Sequence, residues 1–303
     1  MRTAILVLSV DEAAMLEHCL PAAAAQGAGE IVVIDNACSD ATAEVARAHG
    51  ARVVALPDRL GYAAAMNAGL ATIDADAVLL LNADCFLDAG YLAAAQPHLA
   101  GDGVGSVAGK LLRVTGPGAE PDAIDAAGMV IDRRRKNTIV GHGAPVGAYA
   151  TAGECFGADG ACALYRRAAL AGGFDEDMAL WATDADLAWR ARSAGWRSVY
   201  APAATARHIR TYSPSTRAQA SREHRRIQFR NRYLMIARND TLRTLLPDLP
   251  WILAYEALAL GHVLLRERFL APGYLQAWRL ARAVRARRVP PVTRPPFGLE
   301  PAP

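Results

Sequence analysis

Short apolar runs alternate with helical patterns through the first hundred residues. The runs 3–10 (TAILVLSV), 31–35 (IVVID), 52–56 (RVVAL) and 77–82 (AVLLLN) have the character of buried strands. Between them, 12–25, 41–49 and 63–73 read as helices, the second N-capped by Ser39 or Asp40 and followed by Gly50. Strands alternating with helices predict βαβ units and a mostly parallel sheet covered on both faces. Ligands of such sheets bind outside the carboxyl ends of the strands. The polar residues that close these runs therefore become candidates: Ser9 and Asp11, Asp35, then Asn82 and Asp84.

The middle of the chain, 101–153, is rich in Gly, Pro and charge, includes the basic run 133–136, and reads as strands and loops of unassigned order. Pattern returns with a strand at 160–167, a helix at 184–194 ended by Gly195, and a strand at 196–200 followed by Pro202. Beyond Pro214 three helical segments are predicted, at 215–246, 250–270 and 272–288. The tail from Pro290 holds six prolines in fourteen residues and is expected to be disordered. The division that follows is a nucleotide-binding domain at 1–212, a basic helical extension at 213–289 and a Pro-rich tail at 290–303.

Hydrophobic residues make up 52% of the 303 and charged residues 21%, which excludes a disordered chain and supports a sizeable core. The five cysteines (Cys19, Cys38, Cys85, Cys155, Cys162) are scattered and odd in number, which points to a reduced, cytoplasmic protein without a disulfide framework or zinc cluster. The opening apolar run is too short for a secretory signal. The longest later one, 251–265, is interrupted by Glu256 and His262, so no transmembrane helix is expected. Charge is uneven: 1–189 carry 12 basic and 24 acidic residues, whereas 190–303 carry 21 and 6. A basic C-terminal third suits an anionic partner, and peripheral contact with the inner face of the plasma membrane through basic helices is one form of it. A solvated basic face on helices that merely cover the sheet is the other.

Five stretches carry the candidate chemistry. In VIDNACSDAT, Asp35 ends a strand where a carboxylate can accept from a nucleobase or ribose, while Asp40 opens a helix and is equally well placed as a cap. In LGYAAAMNAG, Gly61 allows close backbone approach, Tyr62 follows it, and Asn67 is polar on an otherwise apolar helix. In LLLNADC, Asn82 and Asp84 leave a strand two residues apart, a spacing of oxygen ligands that suits Mg²⁺ or Mn²⁺ on a diphosphate. In GGFDEDMALWATDADLAWR, Asp184 and Asp186 fall in one helical turn on different faces, so one is expected to act and the other to support. His208 is a lone histidine that would complete an N/O metal set.

Taken in order, VIDNACSD, GYAAAMNAG, LLLNADC, FGADGACALYRR, GGFDEDMALWATDADLAWR and APAATARH resemble the inverting family 2 glycosyltransferases of GT-A fold, in particular the bacterial rhamnosyltransferase-like group. The resemblance runs from about residue 2 to 208 and more loosely through 225–239. It implies that Asp35 holds the nucleobase, that Asp84 binds the metal and donor diphosphate with His208 as a further ligand, and that Asp184 is the general base. Ser9, Asp11, Asp40, Gly61, Tyr62, Asn67 and Asn82 then form the donor site. Gly160, Trp181, Thr183 and Asp186 support it. Two departures stand out: Thr183 replaces a common acid beside the base, and Ser9-Val10-Asp11 replaces a frequent Asn-Tyr-Asn.

The activity implied is transfer of a sugar from a nucleoside diphosphate, dTDP-rhamnose or a UDP-sugar, to a hydroxyl of a cell-envelope glycan, a lipid-linked or a small-molecule acceptor. It would proceed by metal-assisted direct displacement. Two other readings compete. A nucleotidyltransferase should carry a Gly-rich basic loop after the first strand, and 9–16 has neither Gly nor Lys. A non-catalytic nucleotide-sugar-binding module is argued against by Asp84, Asp184 and His208. No nucleic-acid partner is expected, because acidic strand ends do not suit one.

Overall fold

The computed structural model describes residues 1–170, 172–211 and 216–303. In chain order the first half comprises β1 (Thr3–Ser9), α1 (Ala13–Ala24), β2 (Glu30–Asp35), α2 (Thr42–Ala48), β3 (Arg52–Ala55), α3 (Tyr62–Ala71), β4 (Ala77–Asn82), β5 (Cys85–Leu87), α4 (Tyr91–Ala95), β6 (Val104–Arg113), β7 (Ala123–Ala126), β8 (Met129–Ile131) and β9 (Asn137–Ile139). The second half comprises β10 (Gly153–Cys155), β11 (Cys162–Arg166), α5 (Thr183–Ser193), β12 (Arg197–His208), α6 (Arg222–Asn239), α7 (Leu242–Leu245), α8 (Leu249–Leu265) and α9 (Ala271–Ala286).

The main sheet runs β10-β12-β6-β11-β4-β1-β2-β3, with β5 added beside β12 and β7 beside β6. Strands β3, β2, β1 and β4 are mutually parallel, as the alternating pattern predicts. The sheet then turns mixed, because β11 enters antiparallel between β4 and β6. Alternate residues of β1 feed opposite faces: Ile5 and Val7 pack with Leu16, Leu20 and Ala23 of α1, whereas Ala4, Leu6 and Leu8 pack with Ala63, Met66 and Leu70 of α3. Helix α3 lies so close to the sheet that a Cβ on Gly69 would sit 2.5 Å from the Ile34 side chain.

Strand β12 corrects the expectation of a strand ending before Pro202. Its pairing with β6 jumps from Ala201–Gly109 to Thr205–Lys110, so the proline sits in a bulge and the strand resumes as far as His208.

Residues 212–215, which hold the expected domain boundary and the start of the first C-terminal helix, lie outside the described residues. The extension itself is not separate from the sheet domain. Leu234 and Met235 of α6, with Ala277 and Val284 of α9, share one core with Met129, Ile131, Phe156 and Trp189. The predicted helix 215–246 is interrupted where Asp240 turns extended (ψ 141°), separating α6 from α7.

The basic run 133–136 closes the β8–β9 turn and acts as a clamp. Arg135 is fully buried; it donates to Asp240 at 2.7 Å, to Asp248 at 2.8 Å and to the Thr244 carbonyl at 2.9 Å. Its guanidinium lies 3.7 Å from the centre of the Phe297 ring. The tail is therefore placed, contrary to the expected disorder. Phe297 stacks on Phe156 and meets Trp189 edge-on, Val292 N–H donates to the Ser193 carbonyl at 2.7 Å, and Gly298 N–H donates to Ile131 at 2.8 Å. Prolines limit the entropy such a segment loses on docking, and one aromatic anchor then holds it.

The expectation of no transmembrane helix meets one candidate, by length and composition alone. It counted only 251–265, whereas the helical run Leu242–Leu265 spans 24 residues at a mean hydropathy of 1.2, long and apolar enough to cross a membrane.

Candidate active site

The carboxyl ends of β1, β2 and β4, the end of β12 and the start of α5 meet along one edge, and their polar residues form three groups.

The first lies at the ends of β1 and β2. Half-buried Asp35 accepts from Cys38 N–H at 2.8 Å, which shapes the turn. Asp11, in the left-handed region (φ 58°), accepts from Ser39 N–H at 2.6 Å and from Arg59 at 2.5 Å. The Ser39 amide and then the Arg59 guanidinium lower its pKa to about 2. Asp40 ties two helix starts together, accepting from Ala13 N–H at 2.8 Å and from Thr42 N–H at 3.1 Å and its hydroxyl at 2.6 Å. The capping alternative for Asp40 thus has its geometry here, with Ser9 buried beneath it and 3.0 Å from the Thr42 hydroxyl. Asp11, Cys38 and Asp40 bring their ligand atoms within 4.8 Å of one another.

The second group surrounds Asp84, in the turn between β4 and β5. Antiparallel pairing of β5 with β12 sets Cys85 opposite His208, so His208 Nε2 stands 3.4 Å from Asp84 Oδ1. Asn82, on the other side of the turn, ends β4. The opposite face of the imidazole is fixed by a residue that the sequence reading did not single out: His208 Nδ1 is 2.8 Å from Asp125 Oδ2. Asp125 is fully buried and is the extra residue of a bulge, since Leu111 pairs with Ala126 and Leu112 with Ile124. Arg210 grips its two oxygens at 2.6 and 2.8 Å and reaches on to Asp159 at 3.0 Å. Burial would raise Asp125, but hydrogen bonds from His142, His208 and Arg210 outweigh it and hold the carboxyl far below its usual range. Burial would lower His208, but the flanking Asp125 and Asp84 raise it to about 9. Half-buried Glu12, also not singled out, is raised to about 7 by burial and by nearby Asp84. A carboxylate holding one ring nitrogen while the other faces a second carboxylate is the arrangement of a metal-binding histidine, and the O/N donor set fits Mn²⁺ or a similar divalent cation.

The third group is Asp184, half-buried in the first turn of α5. Its Oδ1 accepts from Ala185 N–H at 2.8 Å and its Oδ2 from Gly160 N–H at 3.3 Å. A Cβ at Gly160 would lie 3.3 Å from the Asp184 Cβ, so the glycine permits this approach. Burial and then the nearby charge of Asp159 raise Asp184 to about 6. Asp186, as helical geometry requires, points elsewhere: it is fully buried and accepts from Arg190 at 2.8 Å and from Asn239 of α6 at 2.6 Å.

The segment leading into α5 is tense. Ala179, Trp181 and Ala182 all have positive φ, at 43°, 68° and 58°. It is braced from α6, where the buried amide of Asn231 donates to the carbonyls of Met178 at 2.6 Å, Leu180 at 2.5 Å and Trp181 at 3.0 Å. Thr183, beside the acid, is buried. Gly61 borders the same segment, with a Cβ there 3.1 Å from Ala179. Half-buried Tyr62 stacks edge-on against Phe174, and its hydroxyl is pushed up by burial and by Asp184. Asn67, expected in the donor site, instead latches this loop: its amide donates to the Phe174 carbonyl at 3.0 Å and to Glu176 at 2.9 Å, and accepts from Phe174 N–H at 2.8 Å.

Asp125, Asp159, Arg210 and Asn231 were within reach of sequence reading only as residues near motifs: Arg210 two places after His208, Asp159 inside GADG. The meeting of Asp125 with His208 and Arg210 depends on two bulges that no local pattern announces, and Asn231 reaches its loop through the packing of α6.

Comparisons with known proteins give the family and the fold. A family profile described as glycosyltransferase-like family 2 matches residues 2–229. The chain belongs to that family. An uncharacterized glycosyltransferase of Mycobacterium tuberculosis is 42% identical over 78 residues, which is 25% of this chain and 35% of that protein. The chain therefore spans about a third of the length of the curated relatives it matches. Among solved structures, it is similar to a mannosyltransferase of Pyrobaculum calidifontis in complex with GDP-Man and Mn²⁺, at 21% identity and TM-score 0.56, over 93% of this chain and 75% of that one. It is also similar to residues 1–349 of S. aureus TarS in complex with UDP-GlcNAc, at 16% identity and TM-score 0.60, over 95% and 89%. The family 2 member described here has the GT-A architecture with a helical C-terminal region.

Proposed function

We propose that this family 2 chain is an inverting transferase that moves a sugar from a nucleoside diphosphate to an acceptor hydroxyl, with Asp184 as the base. The observation that carries the reading is Asp184 itself, opening a helix at the sheet's ligand edge with a pKa raised to about 6. A base poised just below neutral pH is ionised in the cell yet strong enough to take a proton. Oxygen of the acceptor attacks the anomeric carbon, the bond from that carbon to the diphosphate breaks, and the acceptor proton passes to Asp184. No covalent intermediate is needed.

Asp84 and His208 would hold a divalent cation, which supplies Lewis-acid stabilisation of charge on the diphosphate. Asp125 keeps the His208 ring oriented with its Nε2 toward Asp84, and Arg210 holds Asp125. Asp35 and the loops after β1 and β2 take the nucleoside end. The GDP-Man and Mn²⁺ of the mannosyltransferase, and the UDP-GlcNAc of TarS, support a donor of this class. The preferred donors are dTDP-rhamnose and UDP-sugars, and the acceptor is a cell-envelope glycan, a lipid-linked or a small-molecule alcohol. The chain would work in the cytoplasm with peripheral contact to the inner membrane face through its C-terminal helices.

The test is a donor screen following nucleoside-diphosphate release with Mn²⁺ or Mg²⁺, with and without EDTA, beside calorimetric Mn²⁺ binding. Metal-dependent release from one donor is expected, and Asp84→Ala and His208→Ala should each weaken Mn²⁺ binding about tenfold or more. Release of pyrophosphate from a nucleoside triphosphate, with no sugar donor turned over, would overturn the reading in favour of nucleotidyl transfer.

A further inference from the structure

Helix α8 is half committed and half bare. One side buries Ile252 and Val263 and presents Glu256 to α6, where Arg232 holds it at 2.5 Å and Tyr233 at 2.7 Å. The other side carries Trp251, Leu258 and Leu265 at seven-residue spacing, with Leu253, Leu260 and Leu264 beside them. All six are exposed, Leu258 at 75% and Leu265 at 80%. Glu256, the one acid in the helix, points inward; the polar groups that border the outward face are exposed His262, 3.4 Å from Glu267, and Arg133, 5.5 Å from the centre of the Trp251 ring.

The charge around the face is equally one-sided. Part of the C-terminal surplus of arginine is consumed internally, by Arg238 and Arg287 on Asp175, Arg294 on Asp248 and Arg232 on Glu256. The arginines that are exposed and have no acidic partner among the described residues include Arg243 before the bare helix, Arg266 just past its end, and Arg279, Arg282 and Arg285 on α9, which also carries the exposed Trp278.

We propose that the outward face of α8 is a membrane-docking surface that lies flat in the headgroup region of an anionic phospholipid bilayer. The apolar stripe enters the acyl boundary, Trp251 and Trp278 sit at the interface, and the arginines meet lipid phosphates. A second copy of this chain fits less well, because a two-fold contact would set the arginine fringe at the helix ends against itself. Spanning the bilayer would require Glu256 to leave Arg232 and Tyr233. This inference deepens the membrane contact proposed above and rests on that reading, not on the identity of the sugar.

Co-sedimentation of the full chain with vesicles decides it. The protein should bind vesicles containing phosphatidylglycerol at low salt and bind pure phosphatidylcholine more weakly. Leu258→Glu with Leu265→Glu should lower partitioning at least about tenfold, and Arg243→Glu with Arg266→Glu about fivefold per position, while both variants keep the wild-type melting temperature. Absence of vesicle binding by the wild type would overturn the proposal, as would binding that neither double variant changes. It would fall equally if light scattering gave a dimer that Leu258→Glu with Leu265→Glu splits, or if the protein resisted alkaline carbonate extraction. Donor hydrolysis measured on the same samples separates the two readings. Hydrolysis without vesicle binding sinks only the docking surface; vesicle binding without turnover of any donor sinks only the transfer reaction.

Discussion

Helices α6 and α8 invert the usual relation between hydropathy and burial. Helix α6 reads REHRRIQFRNRYLMIARN, yet Asn231, Arg232, Arg238 and Asn239 are all buried in it. Helix α8 reads LPWILAYEALALGHVLL and buries only Ile252 and Val263. Each of these four side chains of α6 meets a partner placed by the sheet domain or its neighbours: the loop before α5, Glu256, Asp175 and Asp186. Desolvation of a paired group is tolerable where that of an orphan is not. The apolar face of α8 has no such complement, and an exposed contiguous apolar face on a folded chain marks an interaction surface. The contrast separates polar residues that brace α5 and the loop before it from apolar residues that face outward.

The sharpest test removes the acid that α6 braces from behind. Asp184→Asn should lower transfer by about 10²–10⁴-fold while donor binding persists. Wild-type activity should also fall about tenfold per pH unit below about 6, following Asp184. The folded-state pKa of Asp184 is raised above its ordinary 3.8, so the fold binds the proton more tightly than the unfolded chain does. Stability from this group is therefore greatest at low pH and is lost as pH rises from about 4 to 6. Asp184→Asn should consequently be more stable at neutral pH, by about 1–3 kcal/mol in a denaturant titration. An unchanged turnover number would remove Asp184 from the chemistry.

Next in size, Arg135→Met should destabilise by about 3–5 kcal/mol, since it leaves buried Asp240 without its cation and takes one of three arginines from Asp248. A mild effect in urea unfolding would mean that the clamp is dispensable. Two leucines then put the comparison directly. Leu234→Ala on α6 should cost about 2–4 kcal/mol, whereas Leu258→Ala on α8, measured in water without lipid, should stay within about 0.5 kcal/mol. Equal losses would show that α8 is packed in solution. The smallest expected effect is kinetic. Asn231→Ala, which frees the carbonyls before α5, should reduce kcat about tenfold with little change in donor KM. As a positioning residue it should leave the pH profile of activity in place; a shifted profile would give Asn231 a direct electrostatic role.

Much of this was legible in the chain. The βαβ pattern placed β1 to β4 within a residue or two, because buried parallel strands are continuous apolar runs. The acids that end those runs fell at the sheet's ligand edge for the same reason. Asp184 and Asp186 were separable in advance by helical geometry alone, and the structure turns one to the site and the other to α6. Where the structure adds to that reading, a distant partner is responsible. Asn67 looked like a ligand contact because a lone amide on an apolar helix asks for a partner; the partner turned out to be the Phe174 backbone, 107 residues away. Residues 290–303 looked unstructured because proline-rich composition supplies little core, and one aromatic ring against Arg135 reversed that.

The sequence by itself determined the order of strands and helices through the first hundred residues, the family, and the set of acids available for chemistry, since these depend on local periodicity and short motifs. Only the tertiary structure decided which groups serve and how. The β7 bulge turns Asp125 onto His208, and the β12 bulge carries His208 past a proline to Asp84. Asn231 reaches the loop before α5 only because α6 packs on the sheet domain. Hydrogen bonding and desolvation depend on neighbours in space, and a bulge of a few residues redirects those neighbours without leaving a periodic trace in the chain.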